Sequence, residues 1–160
     1  MSEAPGFSLR ELRPRDAKEV LRLVQALADY EKLGHEVVAS AQDYYGALAT
    51  RRIQGLLAEV DGEAVGVCLW YETFSTFAGR SGLWIEDVFV DPEHRRRGIG
   101  LAFFRAAARK VLESGHAWVE WNVLDWNEPA IAFYRRIGAV GREEWTDQRL
   151  SGEALRALAG

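Results

Sequence analysis

Arg95, Arg96 and Arg97 stand directly before Gly98-Ile99-Gly100, and an apolar run ending Val88-Phe89-Val90 leads into them through Asp91-Pro92. A strand feeding an Arg- and Gly-rich turn that opens a helix is a place to hold an anion. Glycine lets a ligand approach the backbone closely, and the N–H groups of a helix's first turn point outward with partial positive charge. With arginines alongside, the site suits a pyrophosphate. No Lys-Ser/Thr follows the glycines, so this is not the nucleotide P-loop, nor is it a dinucleotide fingerprint. Read alone, the spacing fits equally a solvated arginine run before a glycine-assisted helix start.

Just upstream, Glu86 and Asp87 are neighbours on the same strand-like run. Strand side chains alternate, so one carboxylate is expected to face a site and the other to face away. Glu31, Glu36 and Glu120, together with Asp87, could favour a cation, and Asp125 is a further scattered acid. Trp121, beside Glu120, could add a cation–π face or could be core. His35, His94 and His116 lie apart, and with the single Cys68 they make no metal-ligand spacing, so no metal is expected. Cys68 reads as a small core residue.

The elements that must carry these residues follow from pattern. Phe7–Leu12 reads as a strand. Asp16 with Glu19 has capping-box spacing ahead of Val20, Leu23, Val24, Leu27 and Ala28, which predicts an amphipathic helix to about Lys32 stopped by Gly34. Ser40 with Asp43 predicts a second cap and a helix to about Ala49. Ile53–Val60 and Ala64–Tyr71, joined by Asp61-Gly62, predict a hairpin. Leu83–Val90 is a further strand, then a helix runs from Gly98 to Ser114-Gly115. Trp118–Val123 reads as a strand, Pro129 opens a short helix closed by Gly138, Val140–Trp145 reads as a strand, and Glu153–Leu158 as a terminal helix. The order β-α-α-β-β-β-α-β-α-β is a mixed α/β fold around a central sheet.

Length and composition bound the rest. At 160 residues one domain, 1–160, is expected. Apolar and charged fractions of 48% and 28% exclude a disordered chain. The net charge of −4 argues against a nucleic-acid binder despite the local arginines. No apolar run suits a membrane span, the first residues lack a leader's apolar region, and a lone cysteine suits a reducing interior. A cytoplasmic protein is expected.

Arg95-x-x-Gly98-x-Gly100 after Val88-Phe89-Val90 resembles the acetyl-CoA motif of the GNAT superfamily of N-acetyltransferases. Leu27–Leu33, Ile85-Glu86-Asp87, Val123–Pro129 and Phe133-Tyr134 together resemble its spermidine/spermine (diamine) acetyltransferase family. Leu124-Asp125-Trp126-Asn127, Ser75-Thr76 before Gly79-Arg80, and Ser151–Ala154 are closer to the thialysine N-ε-acetyltransferase branch. The resemblance implies a central, mostly antiparallel sheet flanked by helices, acetyl-CoA as co-substrate, and a homodimer, for which Trp70, Phe74, Phe77 and Trp84 could supply an apolar surface.

It also implies roles. Arg95, Arg96, Arg97, Gly98, Ile99, Gly100 and Leu101 would bind the pyrophosphate. Val88, Phe89 and Val90 would pair with the pantetheine arm, and a backbone N–H there would polarise the thioester. Asn127, Glu128 and Pro129 correspond to a second cofactor-contacting turn. Glu86 would be the base, through water, and Tyr134 the acid that protonates the departing thiolate, since an unperturbed phenol keeps its proton at neutral pH. Without the resemblance, Tyr134 reads as packing beside Phe133. Tyr30, Glu31 and Asp87 would contact the amine, with Glu120 and Trp121 nearby. Where the polyamine enzymes carry Asp-Pro-Trp, this chain has Thr76-Phe77-Ala78. One acid for a distant amine is missing, which favours thialysine or a short amine over spermine. Acetylation of a protein or peptide amine, and a non-catalytic acyl-CoA-binding module, are the alternatives.

Overall fold

The computed structural model describes residues 6–160; residues 1–5, which begin the stretch read above as lacking a leader, lie outside it. Chain contacts divide it into a unit ending at Asn122 and a smaller unit, Val123–Gly160.

The larger unit is built on one sheet with strand order β1-β2-β3-β4-β5. These are β1 (Ser8–Glu11), β2 (Gln54–Val60), β3 (Glu63–Ser75), β4 (Arg80–Val90) and β5 (Val119–Trp121). The first four pair antiparallel, and β5 joins β4 in parallel. Helices α1 (Ala17–Tyr30) and α2 (Ala41–Ala49) cover one face. There Val20, Leu23 and Leu48 pack with Leu57, Val67, Leu69 and Phe89. Helix α3 (Ile99–Glu113) covers the other, with Phe103 against Gly66 and Phe104 against Trp121. Fully buried side chains such as Leu23, Leu57 and Phe103 each contribute about 1.5–3 kcal/mol.

Local signals behave as their chemistry demands. Asp61 (φ 51°) and Gly62 (φ 84°) both take the positive φ of the hairpin turn. Ser40 and Asp43 form a reciprocal capping box. Asp16 departs from expectation. Its carboxylate does not cap α1 but is buried against Arg10 at 2.8 and 2.9 Å and accepts from the Arg13 N–H at 2.7 Å. A guanidinium fork offers more than one helix N–H, and it holds the Asp16 carboxyl below its usual range. Cys68 lies in the core, where burial pushes its thiol up, so it is no nucleophile.

The smaller unit contains α4 (Glu128–Arg136) and α5 (Gly152–Ala159). The strand expected over Val140–Trp145 is not formed. Gly141 and the charged run Arg142-Glu143-Glu144 break the alternation a half-buried strand needs, and both Val140 and Trp145 are exposed. The strand expected over Trp118–Val123 is shorter, pairing only as β5.

Candidate active site

The anion loop begins where β4 ends. Pro92–His94 forms one tight helical turn, the chain passes Arg95–Gly98, and α3 starts at Ile99. Arg96 (φ 62°) and Gly98 (φ 85°) are both left-handed. Gly98 needs glycine for that φ. Gly100 has ordinary φ, and a Cβ there would meet nothing within 4 Å, so the space over the helix start is open. Arg95, Arg96 and Arg97 are exposed around it. Arg97 is steered by His94, Nη1 to Nδ1 at 3.0 Å.

Arg95 does something different. Its Nε donates to the Val90 carbonyl at 3.0 Å, and its guanidinium lies 5.0 Å from the Tyr30 ring centre and 5.5 Å from that of Phe89. Tyr30 ends α1, so Arg95 ties the loop to the helix expected to meet the amine.

The carboxylates are arranged by an irregularity in β4. Leu69 of β3 pairs with Asp87 and Trp70 with Ile85, which leaves Glu86 as an extra residue in a β-bulge. Past the bulge Tyr71 pairs with Trp84, so Trp84 joins Leu69 and Asp87 on the face covered by α1 and α2. Glu86 sits two residues beyond Trp84 and accepts from its Nε1 at 3.0 Å. Glu86 and Asp87 therefore share one face, contrary to the alternation expected of a regular strand. The consequence is electrostatic. Burial, then the neighbouring Glu86, then Glu31 push the Asp87 carboxyl up to about 7. Burial also raises the Glu31 carboxyl. The Tyr44 phenol of α2 is pushed up by burial and then by the Asp87 charge.

Glu31, Glu86 and Asp87 thus converge, with Tyr30 at the rim. Glu120 pairs with Trp84 and shares that face, whereas Trp121 pairs with Ile85. The Trp121 ring lies 4.8 Å from Phe104 of α3, on the opposite side from the acids. Val88 and Val90 pair with Cys68 and Gly66, and Phe89 turns into the α1/α2 core. Sequence reasoning missed Trp84 as the Glu86 partner and Tyr44 as the neighbour of Asp87. An i, i+2 aromatic–acid pair on a strand was the available signal for Trp84; Tyr44 had none.

In the smaller unit, the buried Asn127 accepts from the Ala130 N–H at 3.4 Å and caps α4, with Pro129 in the first turn. Tyr134, in the middle of α4, is half-buried and meets Phe133 edge-on at 5.7 Å.

Among the described residues no group of three His, Cys, Asp or Glu is placed to hold a metal ion, and no helix is long and apolar enough to cross a membrane.

An anion loop at a helix start beside a cluster of acids suits joining a phosphate-bearing donor to a cationic acceptor, and comparison with known proteins agrees. The model of the acetyltransferase (GNAT) family matches residues 19–139. A thialysine N-epsilon-acetyltransferase of Bos taurus is 36% identical over 95% of this chain and 96% of its own length. That of Caenorhabditis elegans is 30% identical over 96% and 98%. An L-ornithine N5-acetyltransferase of Arabidopsis thaliana is 33% identical over 75% of this chain and 58% of its own length. Among solved structures, an integron cassette protein of V. cholerae superposes with a TM-score of 0.79 at 21% identity, covering 98% of this chain and 99% of its own. On the family match and on this identity over nearly the whole length, the chain belongs to the GNAT acetyltransferase family and is an N-acetyltransferase.

Proposed function

We propose that the protein moves an acetyl group from acetyl-CoA directly to the amino group of a small cationic amine, thialysine or a short diamine. The observation that carries this reading is the bulge in β4, which sets Glu86 and Asp87 on one face within electrostatic reach of Glu31. Such a cluster attracts an ammonium and can take its proton.

The loop Arg95–Leu101 binds the pyrophosphate, and the open space over Gly98 and Gly100 suits it. Val88, Phe89 and Val90 hold the pantetheine arm through backbone, and Asn127, Glu128 and Pro129 supply the second contact. Tyr30, Glu31, Asp87 and Glu120 receive the amine. Glu86 accepts the ammonium proton through a water, and the freed lone pair attacks the thioester carbon. The C–N bond forms, the C–S bond breaks, Tyr134 gives its proton to the thiolate, and the second proton shed by the attacking nitrogen as the amide forms returns to the tyrosinate. The role of Tyr134 rests on its place in the Phe133-Tyr134 motif. Trp121 is the one expected substrate contact that packing turns towards α3 instead.

Residues 1–160 act as one GNAT domain, a reading supported by a family match that runs through the junction at Asn122. The exposed Phe74 and Phe77 at the β3–β4 turn suit a homodimer, while Trp70 is spent in the core. The protein works in the cytoplasm without nucleic acid or membrane. The decisive assay follows release of free CoA with thialysine, lysine, spermidine, putrescine and a peptide amine. Thialysine or a short amine should give a higher kcat/KM than spermidine or the peptide; a preference for either of the latter refutes the assignment.

A further inference from the structure

Glu86 is the extra residue of the β4 bulge, so no residue of β3 stands opposite it, and it is exposed. A long acidic side chain without a cross-strand neighbour has many rotamers open to it, and a base that samples them all spends little time on the line to its proton. Trp84 supplies what the missing neighbour would. Its Nε1 donates to Glu86 Oε2 at 3.0 Å, while Glu86 Oε1 has no hydrogen-bond partner among the described residues. Trp84 is itself placed from both sides. It pairs with Tyr71 of β3 and with Glu120 of β5, and it is half-buried.

The kind of donor matters as much as its place. An indole has only two side-chain torsions, so a flanked ring keeps its N–H aimed. It also carries no charge. A lysine or arginine partner would hold the carboxylate and cancel its pull on an ammonium, whereas an indole N–H holds it and leaves that pull intact. Burial and then the Glu86 charge push the Tyr71 phenol up, as expected of a carboxylate held on the face that Tyr71 and Trp84 share. We infer that Trp84 is the positioning residue of the base: it fixes Glu86 Oε2 and leaves Oε1 to receive the acceptor's proton through the water. The indole keeps its own proton throughout, so Trp84 is neither acid nor base. This rests on the acetyltransferase reading with Glu86 as base, and adds the group that aims it.

The test is a double-mutant cycle of Trp84→Phe and Glu86→Gln, read with whichever amine of the panel above the wild type acetylates fastest. Phenylalanine keeps a ring opposite Tyr71 and removes the N–H. In the wild-type background Trp84→Phe should lower acceptor kcat/KM about 10- to 100-fold, the range for losing a hydrogen bond to a charged group, with the KM for acetyl-CoA unchanged. In the Glu86→Gln background the same change should cost less than about twofold, because a residue that acts only through Glu86 has nothing left to aim. A smaller ring can loosen the face, so the cycle is repeated with Trp84→3-benzothienylalanine, which keeps the bicycle and replaces only the N–H by sulfur. An equal loss in both backgrounds, or no loss from either Trp84 variant, overturns the positioning role and leaves acetyl transfer standing. Full activity in Glu86→Gln removes the base, and this inference with it. No CoA release by the wild type with any amine of the panel overturns the acetyltransferase reading itself.

Discussion

The loop proposed for the donor and the face proposed for the acceptor meet at β4 but are specified in different ways. From Arg95 to Gly100 the conformation is local: a left-handed glycine, a helix start and flanking arginines make the site within a few residues. The acceptor face depends on where β3 pairs with β4. Glu86 and Asp87 share a face only because one residue is extra opposite the Leu69–Trp70 step. A local site can be read from spacing; a site made by register needs the partner strand.

The largest expected effect lies on the donor side. Tyr134→Phe keeps the ring and removes its proton, so kcat should fall about 10²- to 10⁴-fold if it protonates the thiolate. A donor with a more acidic thiol should rescue the variant more than wild type. Turnover that hardly moves makes Tyr134 structural.

Gly100→Asp sharpens the contrast by separating folding from binding in the loop. The Cβ has room, and an acid in the first turn of a helix suits its dipole, so thermal stability should hold or rise. The same carboxylate faces the incoming pyrophosphate, and acetyl-CoA affinity should drop on the order of a hundredfold, about 2.7 kcal/mol. Unchanged affinity by calorimetry would remove the loop from the site.

The smallest effect belongs to Asp87 and carries a sign. With its carboxyl at about 7, acceptor kcat/KM should rise with pH through that value, and Asp87→Asn should flatten the rise. Stability runs the other way. The native carboxyl keeps its proton to about 7 while the unfolded one loses it near the ordinary 3.8, so folding stability falls as pH rises across that window. Asp87→Asn should therefore melt higher than wild type above neutrality, by at least about 2 °C, with the gap closing in acid. A gap that persists at low pH assigns the gain to packing.

Much of the fold was legible because its signals are short-range. Asp61-Gly62 must turn, Ser40 with Asp43 must cap, and Gly98 must open α3. The failures have separate causes. Asp16 has the spacing of a cap, but Arg10, six residues away on β1, outbids the helix for its carboxylate. Val140–Trp145 has apolar ends, but Gly141 and the charged Arg142-Glu143-Glu144 between them leave no alternating face. The acids were named from sequence, yet their common orientation was set by the pairing with β3, which no spacing within β4 shows.

The position of Arg95 limits how the protein could be re-engineered. Its guanidinium is shared between Tyr30 at the end of α1, where the amine is proposed to bind, and Phe89 of β4, while its Nε holds the last carbonyl of β4. Donor and acceptor sites are in this sense not interchangeable parts. A graft that brings in another enzyme's first helix to alter amine preference must also bring an aromatic ring to position 30, or the loop loses one of its walls. Acceptor specificity and donor affinity are expected to drift together, and selection for a new amine would leave its mark on the acetyl-CoA side as well.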